Sequence, residues 1–197
     1  MRSAWMLALA LAAATPAAAA PFNVALGKPV TISGDYGVST CCGWPNPAPA
    51  SLDSIVDGVF LPEGTQWQEG TVWWDENEAA SVNNLIEIDL LGAFRVTSIS
   101  IQADNNEQYH IDYRSTLGVW TPWVFATDVL GGGMRTRAGN VPVVDATGFR
   151  IDAAGGDLFY SVSEFQAVGD AVPEPATLLF LSTGLGLAAA RRRRKQQ

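Results

Sequence analysis

The sequence of 197 residues predicts an all-β sandwich, and three observations support this fold class. Residues 85–90 alternate apolar and acidic side chains, with Ile86, Ile88 and Leu90 on one face, as expected of a half-buried strand. Residues 94–103 are rich in β-branched side chains, which favour strands. Glycine, proline, asparagine and aspartate fill the connections, and no sustained helical periodicity interrupts the series between the chain ends. Such a series is typical of two packed antiparallel sheets.

The predicted strands follow one another through the second half of the chain. Within residues 94–103, Val96, Ile99 and Ile101 are expected to point inward, with an irregularity between them. Pro122 cannot donate a hydrogen bond to a neighbouring strand, so its strand is expected at a sheet edge or at a bulge. The predicted strands cover residues 85–90, 94–103, 108–114, 119–125, 147–153 and 160–168.

The N-terminal residues 1–19 have the order of a secretory signal peptide. Arg2 precedes an apolar stretch at residues 5–14, and small residues follow, among them Ala17 and Ala19. Pro21 disfavours cleavage directly before it, so signal peptidase is expected to cut after Ala19. The alternative is an uncleaved signal anchor.

The C-terminal residues 171–197 form a three-part signal. Pro173, Glu174 and Pro175 precede an apolar run at residues 176–190, and residues 191–195 are all cationic. As a helix the run would span about 22 Å at ~1.5 Å per residue, short of a ~30 Å hydrocarbon core. This order resembles the PEP-CTERM sorting signal, which implies a hydrophobic sorting helix, transient membrane insertion and cleavage by an exosortase. The alternative is a plain tail anchor.

These signals predict where the protein goes. The cationic C-terminus should stay on the cytoplasmic side of the membrane, so the rest of the chain lies on the other side. We therefore expect the domain at residues 20–170 to be exported across the inner membrane, to the cell envelope or the extracellular space.

Removal of both ends changes the charge of the protein. The whole chain has 12 Lys and Arg residues and 20 Asp and Glu residues, for a net charge of −8. Six of the cations lie in the two ends, whereas all 20 acids lie between Asp35 and Glu174, so the chain between the ends has a net charge of −14 when Glu174 of the sorting motif is counted. Such a surface repels nucleic acids and anionic lipid headgroups. Neutral sugars, cations and basic surfaces remain as partners.

Short motifs follow one another along the mature domain, among them Asp57-Gly58, then Thr65-Gln66-Trp67, and a strand that ends in Leu90-Leu91-Gly92. The segments that carry them are residues 23–31, 55–58, 65–67, 86–92, 96–102, 109–114, 118–120, 148–151 and 163–169. Their order and spacing resemble those of the discoidin-type domains, also called coagulation-factor C domains. The resemblance implies a galactose-binding-like jelly-roll β-sandwich that binds a ligand rather than catalysing a reaction. The sequence departs from this family because Cys41 and Cys42 are the only cysteines and neither lies near a domain end, and because the basic, apolar spikes that grip membranes are missing.

The same resemblance implies a structural calcium ion. In many galactose-binding-like domains, the aspartate of an Asp-Gly pair, a threonine before a tryptophan and a glutamate in the last strand hold one Ca²⁺. Asp57, Thr65 and Glu164 occupy these positions here. Oxygen ligands of this kind suit a hard cation. The alternative is that Asp57 caps a turn and Glu164 is solvated.

Aromatic residues point to a carbohydrate ligand, because a flat ring stacks on the apolar face of a pyranose while carboxylates and amides bind its hydroxyls. Trp67 and Trp120 match core positions of the family and are interpreted as packing residues. In sugar-binding relatives the loops at one end of the sandwich form the site, and the corresponding loops here are residues 34–50, 68–84 and 104–108. The candidate ligand-binding residues are Trp44, Trp73, Trp74, Asp75 and Asn105, and for each the alternative is that it covers the end of the sandwich.

Cys41 and Cys42 are adjacent in an exported chain, where disulfides form. A vicinal disulfide is expected, and it would stiffen the loop that presents Trp44. The alternatives are pairing with another molecule and two free thiols.

Catalytic motifs are missing from the sequence. His110 is the only histidine and is expected on the solvent face of a strand, and no nucleophile elbow or metalloprotease motif occurs. Glu76 and Glu78 are the acid pair considered for a glycosidase. The sequence therefore predicts a non-catalytic module that binds carbohydrate in the envelope or extracellular polysaccharide. The alternatives are a structural or adhesive matrix protein and, more remotely, a glycoside hydrolase.

Overall fold

The computed structural model describes residues 20–76 and 84–172. The predicted signal peptide, the Pro173-Glu174-Pro175 motif and the apolar run lie outside these residues. No helix among the described residues is both long and apolar enough to cross a membrane. The strands are β1 (Phe22–Asn23), β2 (Val30–Ser33), β3 (Val72–Asp75), β4 (Leu85–Ala103), β5 (Gln108–Ser115), β6 (Trp120–Ala126), β7 (Arg135–Ala154) and β8 (Phe159–Ala171), with one 3₁₀ helix at Leu52–Val56.

All the strand pairs are antiparallel, and the long strands β4 and β7 each serve two layers. The first part of β4 pairs with β2 and with the end of β7, which continues through β5 to β6. The second part of β4 pairs with the start of β7 and with β8, which also carries β1 and β3. The paired strands therefore fold over on themselves as a sandwich.

The two layers enclose one main hydrophobic core. Ile86, Ile88 and Ile151 come from one layer, and Ile101 and Val162 come from the other. The ring of Phe149 on β7 lies 5.2 Å from the ring of Phe165 on β8, which closes the space between the layers. Burial of this apolar surface is the main favourable contribution to folding.

The prediction of an all-β sandwich is confirmed, with differences in the elements. The two strands predicted at residues 85–90 and 94–103 form the single strand β4, because pairing continues past irregularities between Asp89 and Phe94 and between Val96 and Ser98. Pro122 lies on β6, which is at the end of the sheet order, next to an irregularity in its pairing with β5. The first half of β7 was not predicted, because Gly139 and Pro142 interrupt the apolar pattern there.

Short connections gather several loops at one end of the sandwich. Residues 104–107 join β4 to β5 and residues 155–158 join β7 to β8, so both layers end at the same place. Strand-end pairs such as Ala103–Arg135 and Gln108–Ala154 lie there as well. We call this the loop end. The loops predicted to bind ligand all start or finish at it.

Candidate functional site

Trp44 is the exposed aromatic side chain of the loop end. It lies in the loop after β2, and 42% of its surface is exposed. Its ring contacts two aromatic residues below it, with ring centroids 6.0 Å from Trp67 and 5.1 Å from Phe159. A groove of about 290 Å³ runs beside it, lined by Trp44, Pro45, Pro47, Gln66, Gln68 and Glu69. A lining that combines apolar rings with amide and carboxylate groups is suited to a sugar.

The floor under Trp44 is a second, smaller hydrophobic cluster. It consists of Trp67, Trp73 and Phe159, with Cys41 packed against it. Trp67 meets Trp73 edge-on at 5.2 Å and Phe159 at 5.3 Å. Aromatic contacts of this kind add to the gain from burial. The cluster therefore gives Trp44 a rigid support.

The loop that carries Trp44 is anchored at its start. Cys41 and Cys42 are joined by a disulfide, and Cys42 adopts a left-handed backbone conformation with φ of 65°. The Ser39 hydroxyl donates a 2.6 Å hydrogen bond to the Asp75 carboxylate, and the Cys41 N–H donates to the same hydroxyl oxygen. The Asn46 amide donates to the carbonyl of Ser39. These bonds tie the loop to β3.

The structure does not bring Trp73 and Trp74 into the groove beside Trp44. Successive side chains on a strand point to opposite faces, so Trp73 joins the cluster under Trp44 while Trp74 enters the main core. Both indoles are fully buried. Trp73 donates its ring N–H to the Pro47 carbonyl at 3.1 Å. Trp73 thus supports the groove from below, and neither Trp73 nor Trp74 is exposed at it.

Asp75 and Asn105, the other two candidates, both hold loops in place. Asp75 is buried and accepts the hydrogen bond from Ser39. The Asn105 amide donates to the carbonyls of Val129 and Gly131, which fixes the loop between β6 and β7. Of the five predicted ligand-binding residues, Trp44 alone is exposed at the groove.

Trp67 is buried, as predicted, whereas the interpretation of Trp120 as a core residue is wrong. Trp120 lies half-buried on the outer face of the sheet, with the guanidinium groups of Arg114 and Arg150 5.6 Å and 5.1 Å from its ring. His110 lies on the same strand as Arg114, with its Nδ1 2.9 Å from a carboxylate oxygen of Asp152. His110 thus lies on the outer, polar face of its strand, as expected.

Asp57 and Glu164 lie together, which fits part of the predicted calcium site. Glu164 is fully buried on β8, and the Gly58 N–H contacts both of its carboxylate oxygens, at 3.1 Å and 3.2 Å. Burial raises the pKa of Glu164 to about 7, and the nearby Asp57 carboxylate adds to the rise. Two facing carboxylates, one of them buried, are a suitable donor set for a hard cation. A bound cation would neutralise them and tie β8 to the loop after the 3₁₀ helix.

Thr65, the third predicted calcium ligand, is engaged elsewhere. Its hydroxyl donates a 2.7 Å hydrogen bond to the Pro62 carbonyl, and its own carbonyl accepts from the Met134 N–H. Within residues 20–76 and 84–172, no group of three or more His, Cys, Asp or Glu side chains is arranged to hold a metal. The donor set at this position therefore rests on Asp57 and Glu164.

A buried acidic group at the loop end was not found from the sequence. Asp104 and Glu107 are buried in the connection between β4 and β5, and Asp157 lies in the adjacent connection between β7 and β8. Among the described residues, no N–H or O–H group donates to either carboxylate oxygen of Glu107. Burial raises the pKa of Glu107 to about 9, and the charges of Asp104 and Asp157 add to the rise. Glu107 is therefore a protonated carboxylic acid at neutral pH.

Gly156 is required for this close packing of the two connections. It has a left-handed backbone with φ of 62°, and an added Cβ would lie 2.6 Å from a Glu107 carboxylate oxygen. The sequence signals were the run from Asp104 to Glu107 and the Gly155-Gly156-Asp157 turn. Neither of them indicates that the acids meet across the loop end.

Comparison with known proteins supports the export signal and the fold. Residues 171–195 match the PEP-CTERM protein-sorting motif. The predicted sorting signal is thereby confirmed. This motif indicates export and sorting to the cell envelope. Among curated proteins, no sequence match is found.

Solved structures similar to this chain include sugar-binding modules. The family 32 carbohydrate-binding module of C. perfringens NanJ, in complex with galactose, is 17% identical with a TM-score of 0.51, and the match covers 76% of this chain and 98% of that one. A fucose-binding module of Streptococcus pneumoniae is 13% identical with a TM-score of 0.51, covering 75% and 94%. These likenesses confirm the galactose-binding-like fold. SpGH29 is 17% identical with a TM-score of 0.49, and the match covers 78% of this chain but only 28% of the longer protein.

Proposed function

We propose that the mature domain is an exported, non-catalytic module that binds carbohydrate in the groove beside Trp44. The observation that carries this proposal is the half-exposed Trp44 ring, which packs on a buried aromatic cluster and lines a groove of about 290 Å³ together with polar side chains. Solved modules with the same fold are described as bound to galactose or as fucose-binding. Because one fold carries many functions, the proposal depends on the groove beside Trp44 rather than on the fold.

The ligand is a neutral polysaccharide or one that carries positive charge. The chain between the two cleaved ends has a net charge of −14, counted through Glu174, and no cationic side chain is among the described residues that line the groove. Arginines elsewhere are engaged in ion pairs, as in Arg95 with Asp145 and Arg150 with Asp112. An anionic polysaccharide would meet repulsion without a compensating cation.

Binding of the mature domain, residues 20–172, to a glycan array tests this function. The expected result is binding to neutral glycans that Trp44→Ala weakens and that free glycan competes away. A matrix protein that adheres to other proteins would instead be retained on extracellular material in the presence of free glycan. Binding to no glycan, with or without Ca²⁺, would overturn the proposal.

The export route and the metal belong to the same proposal. Signal peptidase removes residues 1–19, and an exosortase cuts near Pro173-Glu174-Pro175 after transient insertion of the apolar run, which leaves the domain in the envelope or outside the cell. The motif at residues 171–195 supports this route. A structural Ca²⁺ held by Asp57 and Glu164 stabilises the exported domain, and the buried Glu164 carboxylate beside Asp57 supports that role. Mass spectrometry of the protein recovered from its host tests both cleavages.

A further inference from the structure

The side-chain amide nitrogen of Gln68 is buried and has no hydrogen-bond acceptor among the described residues. It lies in a tight turn closed by the Glu69 N–H, which donates to the Gln66 carbonyl at 2.8 Å. Only 5% of the Gln68 surface is exposed, and within the described part of the chain its buried Nε2 atom has no hydrogen-bond partner. Folded proteins pair nearly all such donors, because an unpaired buried donor is costly.

The domain satisfies a comparable buried glutamine completely. Gln102 is fully buried, and its amide donates to the Leu61 carbonyl at 2.9 Å and to the Thr136 hydroxyl at 3.2 Å. Its carbonyl oxygen accepts from the Leu61 N–H and from the Ser163 hydroxyl. The fold therefore can pair a buried carboxamide. Gln68 differs in its place, since it lines the groove beside Trp44.

The lining of the groove offers two kinds of contact. Trp44, Pro45 and Pro47 contribute apolar surface, and Gln66 and Gln68 contribute carboxamides. A carboxamide has an N–H donor and a carbonyl acceptor next to each other. An acetamido group has the same pair in complementary order, together with a methyl group that suits an apolar wall. A hydroxyl at the same position of a sugar lacks the methyl group and the second hydrogen-bonding atom.

We propose that Gln68 is a specificity-determining residue that binds the acetamido group of an N-acetylhexosamine in the Trp44 groove. A rotation of the side-chain amide lets Nε2 donate to the acetamido carbonyl, and the Gln68 carbonyl accepts from the acetamido N–H. The sugar ring stacks on Trp44, and the methyl group of the acetamido substituent packs on Pro45 and Pro47. This inference rests on the proposed carbohydrate-binding function and names the substrate class of the same groove.

The test compares two oligosaccharides that share a β-1,4-linked glucose backbone. Calorimetry measures binding of the mature domain to N,N′,N″,N‴-tetraacetylchitotetraose, which has acetamido groups, and to cellotetraose, which has hydroxyls there. We expect tighter binding of the acetylated chain. Gln68→Leu removes both hydrogen bonds to the acetamido group, so it should weaken this binding by about 5- to 160-fold and should leave cellotetraose binding unchanged.

Thermal unfolding separates a ligand-binding role from a structural one. Gln68→Leu removes an unpaired buried donor, so the melting temperature should stay the same or rise while affinity falls. Asn140→Leu, at an exposed carboxamide on β7 outside the groove, is the control and should change neither quantity. A lower melting temperature with unchanged sugar preference would show that Gln68 is structural and overturn the inference.

The failure of this inference differs from the failure of the proposed function. Equal binding of both tetrasaccharides, weakened equally by Trp44→Ala, would overturn acetamido recognition and leave a carbohydrate-binding module. Binding of neither tetrasaccharide, with positive results on other neutral glycans, would overturn the inference in the same way. A domain that binds no glycan at all would overturn both.

Discussion

Replacing Glu107 with glutamine should stabilise the domain, and the gain should grow as pH rises. The folded state raises the pKa of Glu107 from 4.5 to about 9, through burial and through the carboxylates of Asp104 and Asp157. Below pH 4.5 both the folded and the unfolded chain keep the proton, so ionisation of Glu107 costs nothing. Between pH 4.5 and 9 the unfolded chain releases the proton and the folded chain keeps it, so the free energy of unfolding falls with rising pH.

The size of the effect follows from this difference in pKa. Each pH unit inside the window is worth about 1.4 kcal/mol, which sets an upper limit of about 3 kcal/mol at pH 7. The glutamine side chain in the variant keeps the shape of Glu107 and cannot ionise, and its amide can donate to the two neighbouring carboxylates. The carboxylates of Asp104 and Asp157 still lie close together in the variant, so the gain in free energy of unfolding should lie at or below the upper limit. We expect a gain of about 1 to 3 kcal/mol at pH 7 and almost nothing at about pH 4.5.

Urea unfolding of the mature domain at about pH 4.5, 7 and 8.5 measures this gain. Glu69→Gln is the matched control, because Glu69 is exposed and its replacement should leave the pH dependence unchanged. Glu164 adds a pH dependence of its own, but it is common to all three proteins. If the wild type and Glu107→Gln lose stability in parallel across this range, Glu107 is not a buried neutral acid and the reasoning fails.

Three further predictions concern the metal, the two kinds of tryptophan and the disulfide. EDTA should lower the melting temperature of the wild type and have no effect on Asp57→Ala, since a calcium concentration a hundredfold above Kd contributes about 3 kcal/mol; equal EDTA effects in both proteins would contradict a site at Asp57 and Glu164. Trp74→Ala should cost about 3 to 5 kcal/mol of unfolding free energy by urea titration because it empties the main core, whereas Trp44→Ala should cost less than half as much; similar losses would show that Trp44 is a core residue. Reduction of Cys41–Cys42 by a dithiol should weaken glycan binding measured by calorimetry while far-ultraviolet circular dichroism stays unchanged; unaltered affinity would show that the disulfide does not hold the Trp44 loop.

Local patterns were enough to predict the fold class. The alternation through Ile86, Ile88 and Leu90 gives the buried face of β4, and Pro122 gives the position of β6 at the sheet edge. Strand length was harder to predict, because β4 continues through an irregularity that interrupts its alternation between Asp89 and Phe94. The first half of β7 could not be predicted because Gly139 and Pro142 interrupt its apolar pattern. Hydrogen-bonded pairing with β4 nevertheless holds this segment as a strand.

The candidate site depends on contacts between distant segments, which the sequence does not display. Trp44, Trp73 and Trp74 were equal candidates for ligand binding, and the structure places only Trp44 at the groove. A polar segment follows Trp74, yet β3 pairs with β8 and buries both Trp73 and Trp74. Gln68 has no local signal, and the run from Asp104 to Glu107 does not show that its acids meet Asp157 across the loop end. An unpaired amide or a buried neutral acid arises only when separate turns pack together.

Calorimetric titration of the mature domain with neutral oligosaccharides, for the wild type and for Trp44→Ala, tests the central claim most directly. The wild type should bind at least one neutral glycan with one site per molecule, and removal of the exposed indole should weaken that binding by about tenfold or more while the melting temperature changes little. Wild-type affinity in the Trp44→Ala variant, or the absence of binding to every neutral glycan, would contradict a carbohydrate site in the Trp44 groove.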